Sequence, residues 1–164
     1  MKIRNAEASD LPRLLEIYNH YIEKTCITFD IELQTLAHRK AWFEAFAKDG
    51  PHRLFVVEDE GAVAGYASSR EFRSRAAYAR SVETSIYLAP EATGRGLGRA
   101  LYAHLVRFLE AAPDVHRAVG GITLPNDASV ALHERMGFRE VGRFNEIGFK
   151  FDQYWDVAWF ERSV

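Results

Sequence analysis

The chain has 164 residues, of which 48% are hydrophobic and 27% charged, and its formal net charge is −2. This length predicts one compact domain over residues 1–164, and the slightly negative charge disfavours a nucleic-acid-binding protein, whose affinity depends on many Lys and Arg contacts to phosphates. No apolar run approaches the roughly 20 residues that span a bilayer, and the single Cys26 cannot form an internal disulfide. We therefore expect a cytoplasmic protein that binds neither nucleic acid nor membrane.

The first half of the chain predicts a strand, two helices and a hairpin. Residues 2–6 form the strand, and Ser9 is the expected N-cap of a helix whose apolar residues recur at helical spacing up to Ile22. Residues 36–50 predict a second helix that ends at Gly50. Residues 53–72 read as two strands around a tight EDEG turn.

The second half predicts four more strands and two more helices. They are a strand at 79–90, an amphipathic helix at 98–112, a strand at 116–124, a short helix at 125–137 and two strands within 139–163. Asn126 or Asp127 caps the short helix, and Gly137 stops it. The order β-α-α-β-β-β-α-β-α-β-β predicts an α/β (mixed α+β) domain, because so many hairpins do not fit a doubly wound parallel sheet.

Three glycines at every second position, Gly94, Gly96 and Gly98, join a strand to the amphipathic helix. Free amides and a helix N-terminus favour an anion there, and Arg95 and Arg99 suggest more than one negative charge on it. The spacing fits neither a dinucleotide fingerprint nor a P-loop. On the loop alone, a simple tight turn with solvated arginines stays an equal alternative. The histidines do not cluster like metal ligands, so we expect no metal.

The stretch ETSIYLAPEATGRGLGRALYAHLV, residues 83–106, resembles the central motif of the GNAT superfamily of N-acetyltransferases, in which [QR]-x-x-G-x-[GA] binds the pyrophosphate of acetyl-CoA. Thr93 stands where Gln or Arg is usual, which removes one side-chain contact. LPNDASVALHERMGFREVG is similar to the second signature of the superfamily, which is filled by Asn126, Ser129, His133 and Gly137-Phe138. The resemblance implies a mixed, mostly antiparallel sheet of about seven strands, with flanking helices and a splayed V between the two central strands.

A narrower resemblance covers nearly the whole chain. EIYNHYIEKTCITFD, FRSRAAYARSVETSIYL, LPNDASVALHE and GFKFDQYWDV resemble the phosphinothricin N-acetyltransferases and their relatives that acetylate methionine sulfoximine and sulfone. This implies acetyl-CoA as co-substrate, direct transfer to the α-amine of a small glutamate- or methionine-like amino acid, and a homodimer. The alternatives are an N-acetyltransferase for protein N-termini or another small amine, and a non-catalytic acyl-CoA-binding module.

The resemblance also implies roles for individual residues. The cofactor-binding set is Ile86, Tyr87, Leu88, Gly94, Arg95, Gly96, Leu97, Gly98, Arg99, Asn126, Ser129 and His133. Glu83 is the expected general base, acting directly or through water, because the amine must lose its proton before it attacks, and a carboxylate could suffice for an α-amine, whose pKa of about 7.7–8.0 lies below the value of about 10.4 for lysine. His133 is the second catalytic candidate, either as a proton donor to the thiolate or as a structural histidine. By strand alternation, the side chain of Glu83 shares a face with those of Ser85 and Tyr87, and opposite it lie Val82, Thr84, Ile86 and Leu88.

The substrate-binding set comprises Phe29, Arg73, Ser74 and Arg75, together with Glu83. The two arginines suit a carboxylate, because a guanidinium fork matches its planar geometry. Lys150 and Trp155 either wall the same pocket or pack in a core or dimer contact. Cys26 is not expected to act as a nucleophile, since direct transfer needs no covalent intermediate.

Overall fold

The computed structural model describes residues 1–164 and contains seven strands and four α-helices in the predicted order. The strands are β1 (Lys2–Asn5), β2 (Leu54–Asp59), β3 (Ala62–Glu71), β4 (Ser81–Leu88), β5 (Arg117–Leu124), β6 (Arg139–Lys150) and β7 (Gln153–Ser163). The helices are α1 (Leu11–Lys24), α2 (Leu36–Phe43), α3 (Leu97–Glu110) and α4 (Asp127–Arg135). None of these helices is both long and apolar enough to cross a membrane.

The strands form one sheet in the order β1-β2-β3-β4-β5-β7-β6. All neighbours are antiparallel except β4 and β5, which run parallel and pair only over Ser81–Glu83 and Arg117–Val119. Beyond Glu83 the two strands separate, while β4 stays paired with β3 as far as Leu88. The predicted mixed, mostly antiparallel sheet with a V between its central strands is therefore confirmed.

The helices cover both faces of the sheet, and β4 contributes side chains to each face. On one face, Tyr87 meets Tyr18 of α1 edge to face, with ring centroids 5.3 Å apart. On the other face, the hydroxyl of Thr84 lies 2.8 Å from that of Tyr102 on α3. The predicted alternation along β4 is confirmed, and the acidic side chain of Glu83 lies on the face covered by α1 and α2.

Two helix boundaries differ from the sequence prediction. Ser9 is not an N-cap, because it lies inside a short 3₁₀ turn over Ala8–Asp10, where the Asp10 carboxylate accepts the Glu7 amide at 2.8 Å. The second helix ends at Phe43 and does not reach Gly50. The amide of Ala47 leaves the helical ladder and donates to the carbonyl of His52 at 3.2 Å, which turns the chain towards β2.

Candidate active site

A loop of free backbone amides precedes α3. Gly94 and Gly96 have φ angles of +73° and +77°, which L side chains rarely adopt, and Gly96 is the N-cap of the helix. The first helical bond runs from the Ala100 amide to the Gly96 carbonyl, and the amides of residues 94–99 donate to no acceptor within the protein. We call residues 94–99 the amide loop. Its consecutive N–H groups at a helix N-terminus fit an anion with several acceptor oxygens, such as a pyrophosphate.

The two arginines of the amide loop lie in different environments. Arg95 pairs with Asp59 of the β2–β3 hairpin at 2.5 Å, whereas Arg99 is exposed and makes no ion pair. Gly98 allows the helix to approach β4 closely, because a Cβ there would lie 3.1 Å from Leu88 Cδ1. Thr93, where the motif departs from its usual residue, donates its hydroxyl proton to the Pro90 carbonyl at 2.9 Å and closes the turn.

The separation of β4 from β5 leaves backbone groups of β4 unpaired. The Ala89 amide donates to Ala64 on the β3 side at 2.8 Å, and the β3–β4 register is regular. Amides alternate in direction along a strand, so that of Tyr87 also faces β3, whereas those of Ile86 and Leu88 face the gap towards β5. Of the three residues predicted to present their backbone to the cofactor, two thus have free amides in the gap.

A small cavity of about 50 Å³ lies in this gap and collects much of the predicted cofactor set, as its walls include Ile86, Tyr87, Asn126, Ser129 and His133. We call it the interstrand cavity. The Asn126 side-chain oxygen accepts the Ser129 amide at 3.2 Å and so caps α4 as predicted. The amide nitrogen of the same side chain makes no hydrogen bond within the protein, so one residue can cap the helix and still offer a donor to a ligand.

His133 is buried between α4 and the sheet, and both of its ring nitrogens have partners. Its Nδ1 lies 2.8 Å from the Ser129 carbonyl, which can only accept, so Nδ1 carries the proton. Its Nε2 then accepts from the Tyr102 hydroxyl at 2.9 Å, and the Tyr102 oxygen lies 2.8 Å from that of Thr84. Burial lowers the pKa of His133, so its neutral form is favoured. A chain of three hydrogen-bonded side chains therefore ends beside the interstrand cavity.

Glu83 lies on the other face of β4, in a larger cavity of about 460 Å³ that we call the Glu83 cavity. Its carboxylate is half-buried and makes no hydrogen bond or ion pair. Burial raises the pKa of Glu83, while the positive charges of Arg73 and Arg70 act against that rise. A carboxylate with a raised pKa and no internal partner is available to take a proton from a ligand.

The other predicted substrate residues do not line the Glu83 cavity. Arg73, Ser74 and Arg75 are exposed and line a separate recess of about 320 Å³ with Tyr78. Arg73 is nevertheless close enough to lower the pKa of Glu83. All four side chains that line this recess are exposed.

The segment after α1 packs against the end of β6 through Phe29 and Lys150, and Trp155 of β7 supports Lys150. The Phe29 ring occupies the space where Gly148 would carry a side chain. Lys150 is buried and donates from Nζ to the Thr28 carbonyl at 2.8 Å, and Trp155 donates to the Lys150 carbonyl at 2.8 Å. In the same segment, burial raises the pKa of the Cys26 thiol, which disfavours the thiolate that a nucleophile would need.

Sequence reasoning missed most walls of the Glu83 cavity, namely Tyr18, Asp30, Gln34, Arg39, Trp42, Tyr66, Arg70 and Glu71. They come from α1, α2, β3 and the segment between the first two helices, so no local motif joins them. One signal was present in the sequence. Arg39 shares a helical face with Trp42 and Phe43, which follow it by three and four positions. A solvated arginine is unusual on an aromatic face, so this pattern indicates a buried arginine.

Comparison with known proteins extends this picture. A family model described as an acetyltransferase (GNAT) domain matches residues 3–159. The phosphinothricin N-acetyltransferase of Streptomyces coelicolor is 49% identical over 166 residues, which cover 100% of this chain and 96% of that protein. The L-methionine sulfoximine/L-methionine sulfone acetyltransferase of Pseudomonas paraeruginosa is 35% identical, over 99% of this chain and 94% of that protein.

A solved structure of a GNAT superfamily phosphinothricin acetyltransferase (Pat) from Sinorhizobium meliloti, in complex with AcCoA, has a similar fold. It matches with a TM-score of 0.94 at 35% identity, covering 99% of this chain and 88% of that one. Together with the family model and the two curated relatives, it confirms the resemblance that the two motifs predicted.

Proposed function

We propose that this chain, which belongs to the GNAT acetyltransferase family, transfers the acetyl group of acetyl-CoA to the α-amine of a small glutamate- or methionine-like amino acid. One observation carries the proposal: the two cavities meet at β4. Ser85 and Tyr87 line both of them, Glu83 lies on one side, and the free amides of Ile86 and Leu88 lie on the other. An amine beside Glu83 and a thioester in the gap would thus approach each other across a single strand.

Three parts of the chain would hold acetyl-CoA, which supplies the acetyl group as a thioester. The amide loop would bind the pyrophosphate, since its N–H groups and the dipole of α3 favour a multiply charged anion. The free backbone of β4 and the side-chain amide of Asn126 would pair with the polar arm of the cofactor in the gap. The solved relative from S. meliloti, in complex with AcCoA, supports this co-substrate.

Glu83 would act as the general base, directly or through one water. The amine nitrogen forms a bond to the acetyl carbon, the carbon–sulfur bond breaks, and the proton lost by the amine passes to the Glu83 carboxylate. The amide of Ile86 or Leu88 would donate to the carbonyl oxygen as negative charge develops there. The sulfur leaves as a thiolate, which with a thiol pKa of about 8.5 needs no obligatory acid. His133 and Tyr102 would then serve mainly to position α4 and Asn126.

The size of the Glu83 cavity and the names of the relatives support a small amino acid as the acceptor. A volume of about 460 Å³ suits a molecule of this size, and it lies within the range of small-molecule sites. The relatives from S. coelicolor and P. paraeruginosa are named for phosphinothricin and for methionine sulfoximine and sulfone. An acceptor peptide would instead need an open groove that leads away from Glu83.

An amine panel at fixed acetyl-CoA tests the proposal. Thiol release would be measured with L-phosphinothricin, L-methionine sulfone, L-methionine sulfoximine and peptides that carry a free N-terminus. We expect turnover of at least one amino acid, and a loss of about 10²–10⁴-fold in Glu83→Gln. Turnover of peptides alone would favour the protein N-terminus alternative. Binding of CoA without turnover of any amine would favour a non-catalytic module.

A further inference from the structure

Arg39 is an unusual residue in this fold, because its charge is buried without a counter-charge. Its side chain is 2% exposed. Its only hydrogen bond runs from Nη2 to the Tyr66 hydroxyl at 2.6 Å, and its Nε is buried with no acceptor. None of the ion pairs of the protein includes Arg39. A buried guanidinium without a carboxylate is costly to the folded state, so its presence needs an explanation.

Aromatic rings surround the guanidinium and fix its position. Its central carbon lies 3.6 Å from the ring centroid of Trp42, 4.6 Å from that of Tyr18 and 5.1 Å from that of Tyr66. Such faces attract a cation and exclude water from it, but they carry no net charge to neutralise it. The arginine is therefore held in one orientation and keeps its capacity to bind an anion.

The Arg39 side chain forms part of the wall of the Glu83 cavity. The other charged groups on that wall are Arg70 and the carboxylates of Asp30, Glu71 and Glu83. Asp30 accepts from neutral donors, the Tyr18 hydroxyl at 2.9 Å and the Gln34 amide at 2.8 Å, and no carboxylate lies within 4.0 Å of Arg39. Gln34 Oε1, on the same wall, is also buried without a partner. The cavity thus combines an unpaired cation with an unpaired base, Glu83.

We propose that Arg39 binds an anionic oxygen group of the amino-acid substrate and so directs the α-amine of that substrate towards Glu83. The inference rests on the proposed function and names the residue that selects its substrate class. It assigns to a buried arginine of α2 the role that the family resemblance gives to Arg73 and Arg75, which are exposed and line the separate recess. A rigid guanidinium needs little reordering to bind a carboxylate, whereas an exposed loop arginine loses side-chain entropy.

Three acceptor substrates distinguish whether the anionic group that Arg39 binds is the α-carboxylate or the side-chain acid. L-Phosphinothricin carries an α-carboxylate and a side-chain acid, L-methionine sulfone carries the α-carboxylate alone, and 3-(methylsulfonyl)propan-1-amine carries neither. The KM and kcat of each would be measured for the wild type, for Arg39→Lys and for a control, Arg53→Lys. Arg53 is a matched control because its Nε is also buried and unpaired and it lies 4.8 Å from the Phe108 ring centroid, but it is not part of the Glu83 cavity.

We expect Arg39→Lys to raise the KM for methionine sulfone by about 10-fold or more, because lysine keeps the charge but loses the planar fork, and with it one hydrogen bond to a charged group. The KM for the carboxylate-free amine should change by less than about threefold, and Arg53→Lys should change neither. A large effect on phosphinothricin alone would place the side-chain acid, and not the α-carboxylate, at Arg39. An equal loss for all three acceptors, or no loss for any, would overturn the proposal.

Thermal unfolding provides a second measurement that does not depend on catalysis. A ligand that binds only the folded state raises the Tm more the tighter it binds, so the same concentration of amino acid should raise the Tm of the wild type and of Arg53→Lys by more than that of Arg39→Lys. Equal rises in all three proteins would refute the role of Arg39 and leave the proposed function standing. If the wild type neither binds nor acetylates any amino acid, the proposed function fails and the inference fails with it.

Discussion

Replacement of Gly96 by alanine separates the two properties of the amide loop, its backbone strain and its capacity to bind an anion. Gly96 has φ +77°, and a Cβ at this position would meet no atom within 4 Å. The cost of Gly96→Ala is therefore conformational, about 1–2 kcal/mol for an L-residue in the left-handed region. For a domain of this size, that loss lowers the Tm by about 2–8 °C. Gly50→Ala should cost as much, since Gly50 has φ +85° and open space around it.

Only one of these two variants should affect the cofactor. Relaxation of residue 96 out of the left-handed region would rotate the neighbouring amides, and one lost hydrogen bond to a charged group is worth about 1.5–3 kcal/mol, or about 10- to 150-fold in Kd. Calorimetric titration with CoA and thermal unfolding would be carried out on both variants. CoA binding by Gly96→Ala at the wild-type Kd, alongside the expected fall in Tm, would refute the reasoning that anion binding depends on the backbone conformation at residue 96.

Three further predictions concern acid–base behaviour and assembly. The value of kcat/KM should rise with pH through the raised pKa of Glu83, and Arg73→Gln should move this rise to higher pH, because the positive charge of Arg73 lowers that pKa. An unmoved profile would contradict this electrostatic effect. The pKa of His133 is lowered in the folded state, so its contribution to stability is complete above the unfolded value of 6.5 and is lost as the pH falls below it. The free energy of unfolding in urea should consequently fall less from pH 7.5 to 5.5 in His133→Gln than in the wild type, because the half-buried His104, whose pKa is also lowered by burial, contributes equally to both proteins. Parallel slopes would exclude a buried neutral His133. The family resemblance predicts a homodimer, and Phe144 is a candidate contact, because it is 55% exposed among other exposed apolar side chains of β6. In size-exclusion chromatography, Phe144→Glu should elute as a monomer where the wild type elutes as a dimer. An unchanged elution volume would exclude this contact.

The backbone features proposed to hold the cofactor could be predicted from the sequence because their determinants are local. The glycines of the amide loop encode left-handed backbone at two positions, and Asn126 lies where a helix N-cap must lie. Each of these features needs only neighbours within a few residues. The boundary of α2 was less predictable, because helix-forming residues continue past Phe43, where the helix ends, and the amide of Ala47 donates to the carbonyl of His52 instead of to a helical acceptor.

The part of the candidate site proposed to bind the amine depends on contacts between segments that are distant in sequence. Glu83 was found because it belongs to a motif on β4, but the cavity that contains it is closed by residues of α1, α2 and β3. A sequence does not reveal which arginine is enclosed. Arg73 and Arg75 precede Glu83 closely in the chain and still line a different recess, whereas Arg39, far from Glu83 in sequence, shares its cavity. Proximity along the chain was therefore a poor guide to which residues share a cavity with Glu83.

The geometry of β4 would allow one strand to serve both proposed substrates. Side chains alternate between the two faces of a sheet, and amides alternate between its two neighbouring strands. At Glu83, Ser85 and Tyr87 the side chain faces the Glu83 cavity and, by the same alternation, the amide faces β3. At Ile86 and Leu88 the side chain packs towards Gly98 of α3 and the amide faces the gap. Because the two alternations are locked together, insertion of one residue directly before Glu83 would turn its carboxylate away from the Glu83 cavity and turn the free amides towards β3 in a single step.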